Sequence, residues 1–312
     1  MNKRISAFFL LFFSFSLILA GCSSSNETKK NKDKLSIYTT VYPLQYFTER
    51  IGGKYVQIDT IYPPGADEHT FEPTQKDMMK LADSDLFIYI GLGLEGFVNS
   101  AKDTLKNENV RLVAAGDQLP IDKATAPKDE EEGDHDHGDI NPHVWLDPVY
   151  SKDMVAIIEK ELIKAMPEHK KEFTANSQKL TAELDQLNTK FEKVISHSAH
   201  KEIIVSHAAF GYWEQRYHIK QISISGLSTS NEPTQKELKS IIVTAKKEKL
   251  KYIFFEQNVS SKLTKIVEKE IGAKPLTLHN LAVRTDKDIK QNRDYMSIME
   301  DNLAALKIAL NE

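Results

Sequence analysis

The chain has 312 residues, a net charge of −4, 40% hydrophobic and 28% charged residues, and one cysteine. That length is a prior for two domains, the mixed charge argues against a disordered chain, and the mildly acidic balance gives a nucleic-acid partner no support. A lone cysteine excludes an intramolecular disulfide and any Cys-rich zinc or iron–sulfur site, so the ten histidines are the residues to follow.

Lys3 and Arg4 precede an almost wholly apolar or small run, Ile5 to Leu19. The run is shorter than the roughly 20 residues a membrane-spanning helix needs and fits a signal-peptide core. It ends Leu19-Ala20-Gly21-Cys22, which matches the bacterial lipobox. Residues 1–21 are therefore expected to be a signal peptide and Cys22 the lipidated mature N-terminus; an ordinary secretory signal with an incidental cysteine is the alternative. Ser23 to Asp33 has no apolar residue, so 22–34 reads as a flexible tether. The expected location is the extracytoplasmic face of a membrane, held by the lipid anchor.

The mature chain alternates strands and helices. Leu35 to Val41 reads as a strand, Pro43 to Ile51 as a helix stopped by Gly52-Gly53, and Tyr55 to Tyr62 as a strand. After a loop from Pro63 to Pro73, Thr74 to Leu81 is predicted to be a short helix opened by a Thr74/Asp77 capping box. Leu86 to Ile90 is a strand, Leu94 to Leu105 a helix, and Val110 to Ala114 a strand. Such alternation predicts βαβ units and a parallel sheet.

Residues 117–140 break the pattern with an acidic, histidine-bearing loop that runs Asp129-Glu130-Glu131-Glu132 and then Asp134-His135-Asp136-His137. A long stretch without periodicity reads as a surface loop. Helix resumes at Pro148, and Pro167 interrupts it. Glu168 to Ser196 then carries Leu180, Leu184, Leu187, Phe191 and Val194 or Ile195 at three- and four-residue steps, the pattern of one long helix across both lobes. Strands follow at Glu202–Ser206, Ile219–Ile224, Tyr252–Phe255 and Pro275–Leu278, with helices at Ala208–Tyr217, Thr234–Lys247, Ser260–Ile271 and Tyr295–Leu310. The expected architecture is α/β: an N-terminal lobe over 35–166, a spine helix over 167–199 and a C-terminal lobe over 200–312, each lobe with a parallel sheet. One repeat supports two related lobes: Glu72-Pro73-Thr74-Gln75-Lys76 recurs as Glu232-Pro233-Thr234-Gln235-Lys236.

Three histidines fall at the junctions between strands or loops and helices. His69 lies in the loop after the second strand, His143 in Asn-Pro-His-Val-Trp-Leu-Asp-Pro before a helix, and His207 directly after Ile203-Ile204-Val205-Ser206. Ligand crevices of open α/β sheets lie outside the carboxyl ends of the strands, where three such imidazoles can converge and bridge the lobes. Imidazole suits zinc; carboxylate-rich sites suit manganese. Spacing alone leaves a second reading, in which each histidine caps a helix or completes a core hydrogen bond. Trp145, Trp213, Phe210 and Tyr212 read as packing residues near the cleft, Glu256 as an anchor for a cleft hydrogen bond, and His169, His197, His200 and His218 carry no assigned role.

The segments GADEHTFEPTQKD, NPHVWLDP and VSHAAFGYW resemble, in order, the three histidine motifs of the metal-specific solute-binding lipoproteins of bacterial ABC importers, and the acidic loop resembles one typical of zinc-type members. The resemblance implies two α/β lobes joined by a rigid helix, a metal held in the cleft by His69, His143 and His207, and delivery of Zn²⁺ to an ABC permease subunit. Many relatives add an acidic residue from the second lobe, and Ala282 stands at that position here. The fourth ligand is left to Glu68, as in some zinc members, to water, or to His279. His135 and His137, with Asp134 and Asp136, could collect zinc for the cleft or simply be solvated charge. The expected protein is a monomeric receptor and no enzyme. The alternatives are a manganese receptor or adhesin on the same scaffold, or a zinc hydrolase with Glu68 as base.

Overall fold

The computed structural model describes residues 33–122, 140–257 and 262–312. The expected signal peptide with Cys22, nearly all of the expected tether, and residues 123–139 of the acidic loop, with Asp134, His135, Asp136 and His137, lie outside the described residues. Among the described residues, no helix is long and apolar enough to cross a membrane.

Two parallel four-stranded sheets form the two lobes. The first contains β1 (Leu35–Thr39), β2 (Val56–Thr60), β3 (Leu86–Tyr89) and β4 (Arg111–Ala114), in the order β2-β1-β3-β4. The second contains β5 (Glu202–His207), β6 (Lys220–Ser225), β7 (Tyr252–Phe255) and β8 (Lys274–Thr277), in the order β6-β5-β7-β8. All their pairings are parallel. Helices α1 (Tyr42–Gly52), α2 (Gln75–Ala82) and α3 (Val98–Leu105) serve the first sheet. Helices α6 (Gly211–Tyr217), α7 (Gln235–Lys247) and α8 (Lys262–Ile271) serve the second, and α4 (Pro148–Ala165) and α5 (Lys170–Ser196) lie between them in sequence. Helices α9 (Asp286–Lys290) and α10 (Tyr295–Ala309) close the chain.

The repeated Glu-Pro-Thr-Gln-Lys occupies the same slot in both lobes, opening α2 on the way from β2 to β3 and α7 on the way from β6 to β7. Both copies form complete capping boxes, Thr74 with Asp77 and Thr234 with Glu237, so orphan backbone N–H groups at each helix start are satisfied the same way. Identical strand order and an identical helix start in one slot make the lobes structural repeats.

Three details differ from the sequence pattern. The helix expected from Leu94 begins at Val98, because the Glu95 carboxylate accepts from the backbone N–H of Ile90 (2.8 Å) and Gly91 (2.9 Å) and holds the chain in a turn. Gly91, Leu92 and Gly93 there take φ of 79°, 53° and 81°. The spine helix starts at Lys170, since Pro167–His169 forms a separate turn. The short α9 was not foreseen; its Thr285/Asp288 capping box makes a helix of a segment with little apolar periodicity.

Helix α5 buries Phe173, Leu180, Leu184, Leu187, Phe191 and Ile195, the predicted stripe. It packs on α1 and α4 on one side and on α6 and α10 on the other. The main core runs without a break from Ile37 and Phe47 through Leu184 and Phe191 to Trp213, Phe254 and Tyr295. A small second cluster, built on Ile204, Ile224, Ile253 and Val267, fills the far face of the second sheet. A core shared by both lobes restricts their relative motion. Phe191 sits 5.2 Å from the Trp213 ring, centroid to centroid. Phe191→Ala is therefore expected to cost about 3–5 kcal/mol. In urea, far-UV circular dichroism and the fluorescence of the two buried tryptophans, Trp145 and Trp213, should lose structure together at a lower midpoint; separated transitions would show lobes that unfold independently.

Candidate metal centre

The first lobe presents Glu68 and His69 on the loop after β2. Gly65, at φ 78°, turns the chain there, and the Asp67 carboxylate accepts from His69 N–H at 2.9 Å, an Asx turn that aims the imidazole. His143 lies in the buried segment Asn141–Asp147, wedged between the lobes. His207 is the last residue of β5.

These residues converge. The Nε2 atoms of His69 and His207 each lie 3.2 Å from His143 Nε2, and Glu68 Oε1 lies 4.0 Å from His69 Nε2. One ligand atom from each of Glu68, His69, His143 and His207 falls within 4.8 Å of every other, the one such group among the described residues. Tetrahedral zinc with bonds of about 2.0–2.1 Å spaces its ligands about 3.3–3.4 Å apart, so His143 Nε2 stands at a fitting separation from each of the other two nitrogens.

The neighbours fix which nitrogen carries the proton. Asn141 Oδ1 accepts from His143 N–H at 2.9 Å while its Nδ2 donates to the Ala208 carbonyl at 3.0 Å, which sets the orientation of the amide. His143 Nδ1, 2.8 Å from the same oxygen, must then be the protonated nitrogen. His207 Nδ1 donates to Glu256 Oε1, which also accepts from Ser206 Oγ. Both rings therefore turn an Nε2 lone pair toward the same point. Two such nitrogens 3.2 Å apart in a buried site need a shared proton or a metal ion between them, and imidazoles backed by a carboxylate or amide oxygen are a recurrent way to hold the metal.

Burial and charge act on each group differently. Burial, then the neighbouring His207, pulls His69 down to about 4, and the same causes hold His143 well below the ordinary histidine range. Burial also pulls His207 down, but the charge and hydrogen bond of Glu256 outweigh it and leave it raised. Burial pushes Glu68 up to about 8 against the opposing pull of His207. A divalent ion reverses the penalty on Glu68, because its charge favours the carboxylate.

His279 stands outside the cluster. Its Nε2 lies 3.3 Å from Asp288 Oδ2 and its Nδ1 accepts from Leu281 N–H at 2.9 Å, so both ring nitrogens are engaged elsewhere. Ala282 is fully buried and brings no carboxylate. The second lobe sends Asn280 to the site instead, a residue that sequence reasoning passed over: Nδ2 donates to Glu68 Oε1 at 2.9 Å and Glu256 Oε2 at 2.8 Å. An asparagine beside His279 carries no periodic signal, and only the fold reveals that it meets two carboxylates distant in sequence.

Fold and cluster together define a two-lobe α/β protein with a buried set of three imidazoles and one carboxylate able to hold a divalent metal ion. Residues 37–309 match the family of the zinc-uptake complex component A, periplasmic (ZnuA), and the chain belongs to that family. It is 36% identical to the zinc-binding lipoprotein AdcA of Streptococcus pneumoniae over 98% of this chain and 60% of that protein. The chain thus spans 60% of the length of that relative. It is 33% identical to the high-affinity zinc uptake system protein ZnuA of Bacillus subtilis, over 99% of both. The crystal structure of the Zn(II)-bound ZnuA-like domain of Streptococcus pneumoniae AdcA matches 89% of this chain and 100% of that domain, with a TM-score of 0.74 and 33% identity.

Glu256 touches no open face of the cluster, yet it sets the tautomer of His207. Glu256→Gln is expected to weaken zinc binding about 10–100-fold in a competition titration, the usual cost of losing such a partner. An unchanged affinity would remove Glu256 from the support of the site.

Proposed function

We propose that this chain is an extracytoplasmic zinc receptor that captures Zn²⁺ through His69, His143, His207 and Glu68 and hands it to an ABC-type permease subunit. The observation that carries this reading is the convergence of His143 and His207 lone pairs, with tautomers fixed from behind, on one point beside His69 and Glu68. Three imidazoles and one carboxylate suit zinc over manganese, which favours oxygen ligands. The relatives named for zinc binding and zinc uptake support the same cargo. The lipobox motif supports a location at the outer face of a membrane, with Cys22 as the anchor, where a permease partner can meet the chain. Glu68 serves as the fourth ligand in this reading, and no hydrolytic role is assigned to it.

Capture by two lobes that share one core is a matter of ligand geometry more than of large closure. His69, Glu68 and His143 come from the first lobe and the segment leading out of it, and His207 comes from the second, so the ion links both. Each imidazole must be neutral to bind, so acid competes with zinc. His207, held above the ordinary histidine range by Glu256, is the ring that protons claim first.

The test is a zinc competition titration of metal-stripped mature chain, with manganese in parallel. Wild-type protein is expected to bind one zinc tightly and manganese more weakly, and the His69→Ala, His143→Ala, His207→Ala triple variant to lose tight zinc binding. Retained affinity in that variant would move the metal away from the cleft. As pH falls from about 7 to 5, zinc affinity should drop with a slope approaching two protons per ion, one released by His207 and one by Glu68, whose carboxyl burial pushes up to about 8; a flat profile would contradict that assignment.

A further inference from the structure

Asn280 is 3% exposed, and its carbonyl and both side-chain polar atoms are engaged. Its backbone carbonyl accepts from the Trp145 indole at 2.7 Å. Its side-chain Oδ1 accepts from Ala282 N–H at 3.0 Å and from Gln257 Nε2 at 3.1 Å. A backbone N–H can only donate, so Oδ1 is fixed toward Ala282 and Nδ2 is fixed toward the cluster. There the two N–H donors of Nδ2 are divided between two carboxylates: Glu68 of the first lobe and Glu256 of the second.

This arrangement has two consequences for the site. First, the oxygen of Glu68 that lies near His69 is the one held by Asn280. Turning the carboxylate to chelate an ion through both oxygens stretches that bond, so the amide favours a single oxygen contact. Second, the same amide steadies Glu256, which sets His207. One neutral side chain thus governs how many oxygens enter the cluster and where one imidazole points. A four-ligand set with a single oxygen fits zinc, whereas manganese favours more oxygen ligands and higher coordination.

We propose that Asn280 is a specificity-determining positioning residue, which holds Glu68 to one-oxygen coordination and so sets the preference for zinc over manganese. The proposal rests on the zinc-receptor reading above. Asn280 touches no ligand nitrogen and acts through Glu68 and Glu256.

The test uses metal-stripped mature chain with three probes: zinc and manganese affinities by competition, and the visible spectrum with Co²⁺, whose absorption is intense in four-coordinate sites and weak in six-coordinate ones. Asn280→Asp replaces the donor by a third carboxylate. It is expected to narrow the zinc-to-manganese affinity ratio at least tenfold and to weaken the Co²⁺ bands. Asn280→Ala, which adds no charge, provides a second variant should the aspartate compromise folding; it should narrow the ratio in the same direction. In a Glu68→Ala background, Asn280→Ala should leave the zinc-to-manganese ratio of the single Glu68→Ala variant unchanged, because the oxygen ligand whose number it sets is gone, and the remaining route through Glu256 to His207 acts on an imidazole that both metals share. Folded Asn280 variants with the wild-type ratio and spectrum would overturn the role of Asn280 alone. So would a narrowing of that ratio by Asn280→Ala that persists without Glu68. A wild-type chain that takes up no stoichiometric zinc would overturn the receptor reading itself.

Discussion

The structure depends on burying a polar stretch of backbone between two lobes. Asn141 to Asp147 has almost no contact with water, and every buried carbonyl there needs a donor. Donors from the second lobe and the last helix supply them. Tyr212 hydroxyl bonds the Asn141 carbonyl at 2.6 Å, Trp213 indole the Leu146 carbonyl at 2.7 Å, and Tyr295 hydroxyl the Trp145 carbonyl at 2.8 Å. Asp147, buried at the end of the stretch, pairs with Arg216 at 2.6 Å. These are large aromatic side chains that fill the core and donate in the same act. The lobes cannot part without stranding those carbonyls, and His143 sits in the middle of the segment they clamp.

A clamped His143 gives the other ligands a fixed reference. Desolvation keeps His69 and His143 neutral, so they are ready to coordinate without first losing a proton. His207 is drawn the other way by Glu256, which gives its ring a fixed orientation at the cost of stronger proton competition. The inter-lobe contact of Thr229 Oγ1 with Asp67 Oδ2, at 2.6 Å, steadies the loop that carries Glu68 and His69 from the opposite lobe. Position in this cluster is thus set from behind each ligand, by groups that do not themselves face the ion.

Much of this was legible in the chain. Strand–helix alternation announced two parallel sheets because βαβ units leave a plain period in the apolar residues. The stripe from Leu180 to Ile195 announced the spine because it is long and unbroken. The repeated helix start read as a hint of two related lobes, and the shared strand order gives that hint its structural counterpart. His69, His143 and His207 could be singled out because each stands at a junction, although their separation in space could not be read. What stayed hidden was long-range: Asn280 meeting Glu68 across 212 positions, and Glu95 folding back to hold a turn open. His279 looked as suitable as any other imidazole until Asp288 was seen to occupy it. Side chains whose partners lie far along the chain leave no periodic trace, so topology alone brings them into view.

Charge accounts for the second lobe's bringing an amide to the cluster and no further acid. Three neutral imidazoles contribute nothing to the net charge of the cluster. Glu68 and Glu256 contribute two negative charges when ionised, and a divalent cation cancels them. A site at net zero charge is the least costly one to keep out of water. A further carboxylate at Ala282 would leave the loaded site negative, and the fully buried alanine there leaves that charge out. In the receptor reading the fourth ligand then comes from the first lobe as Glu68, and the second lobe supplies the donor that holds it. In that reading a carboxylate supplied by one lobe draws its hydrogen-bond donor from the other, and Asn280 is the residue placed to give it.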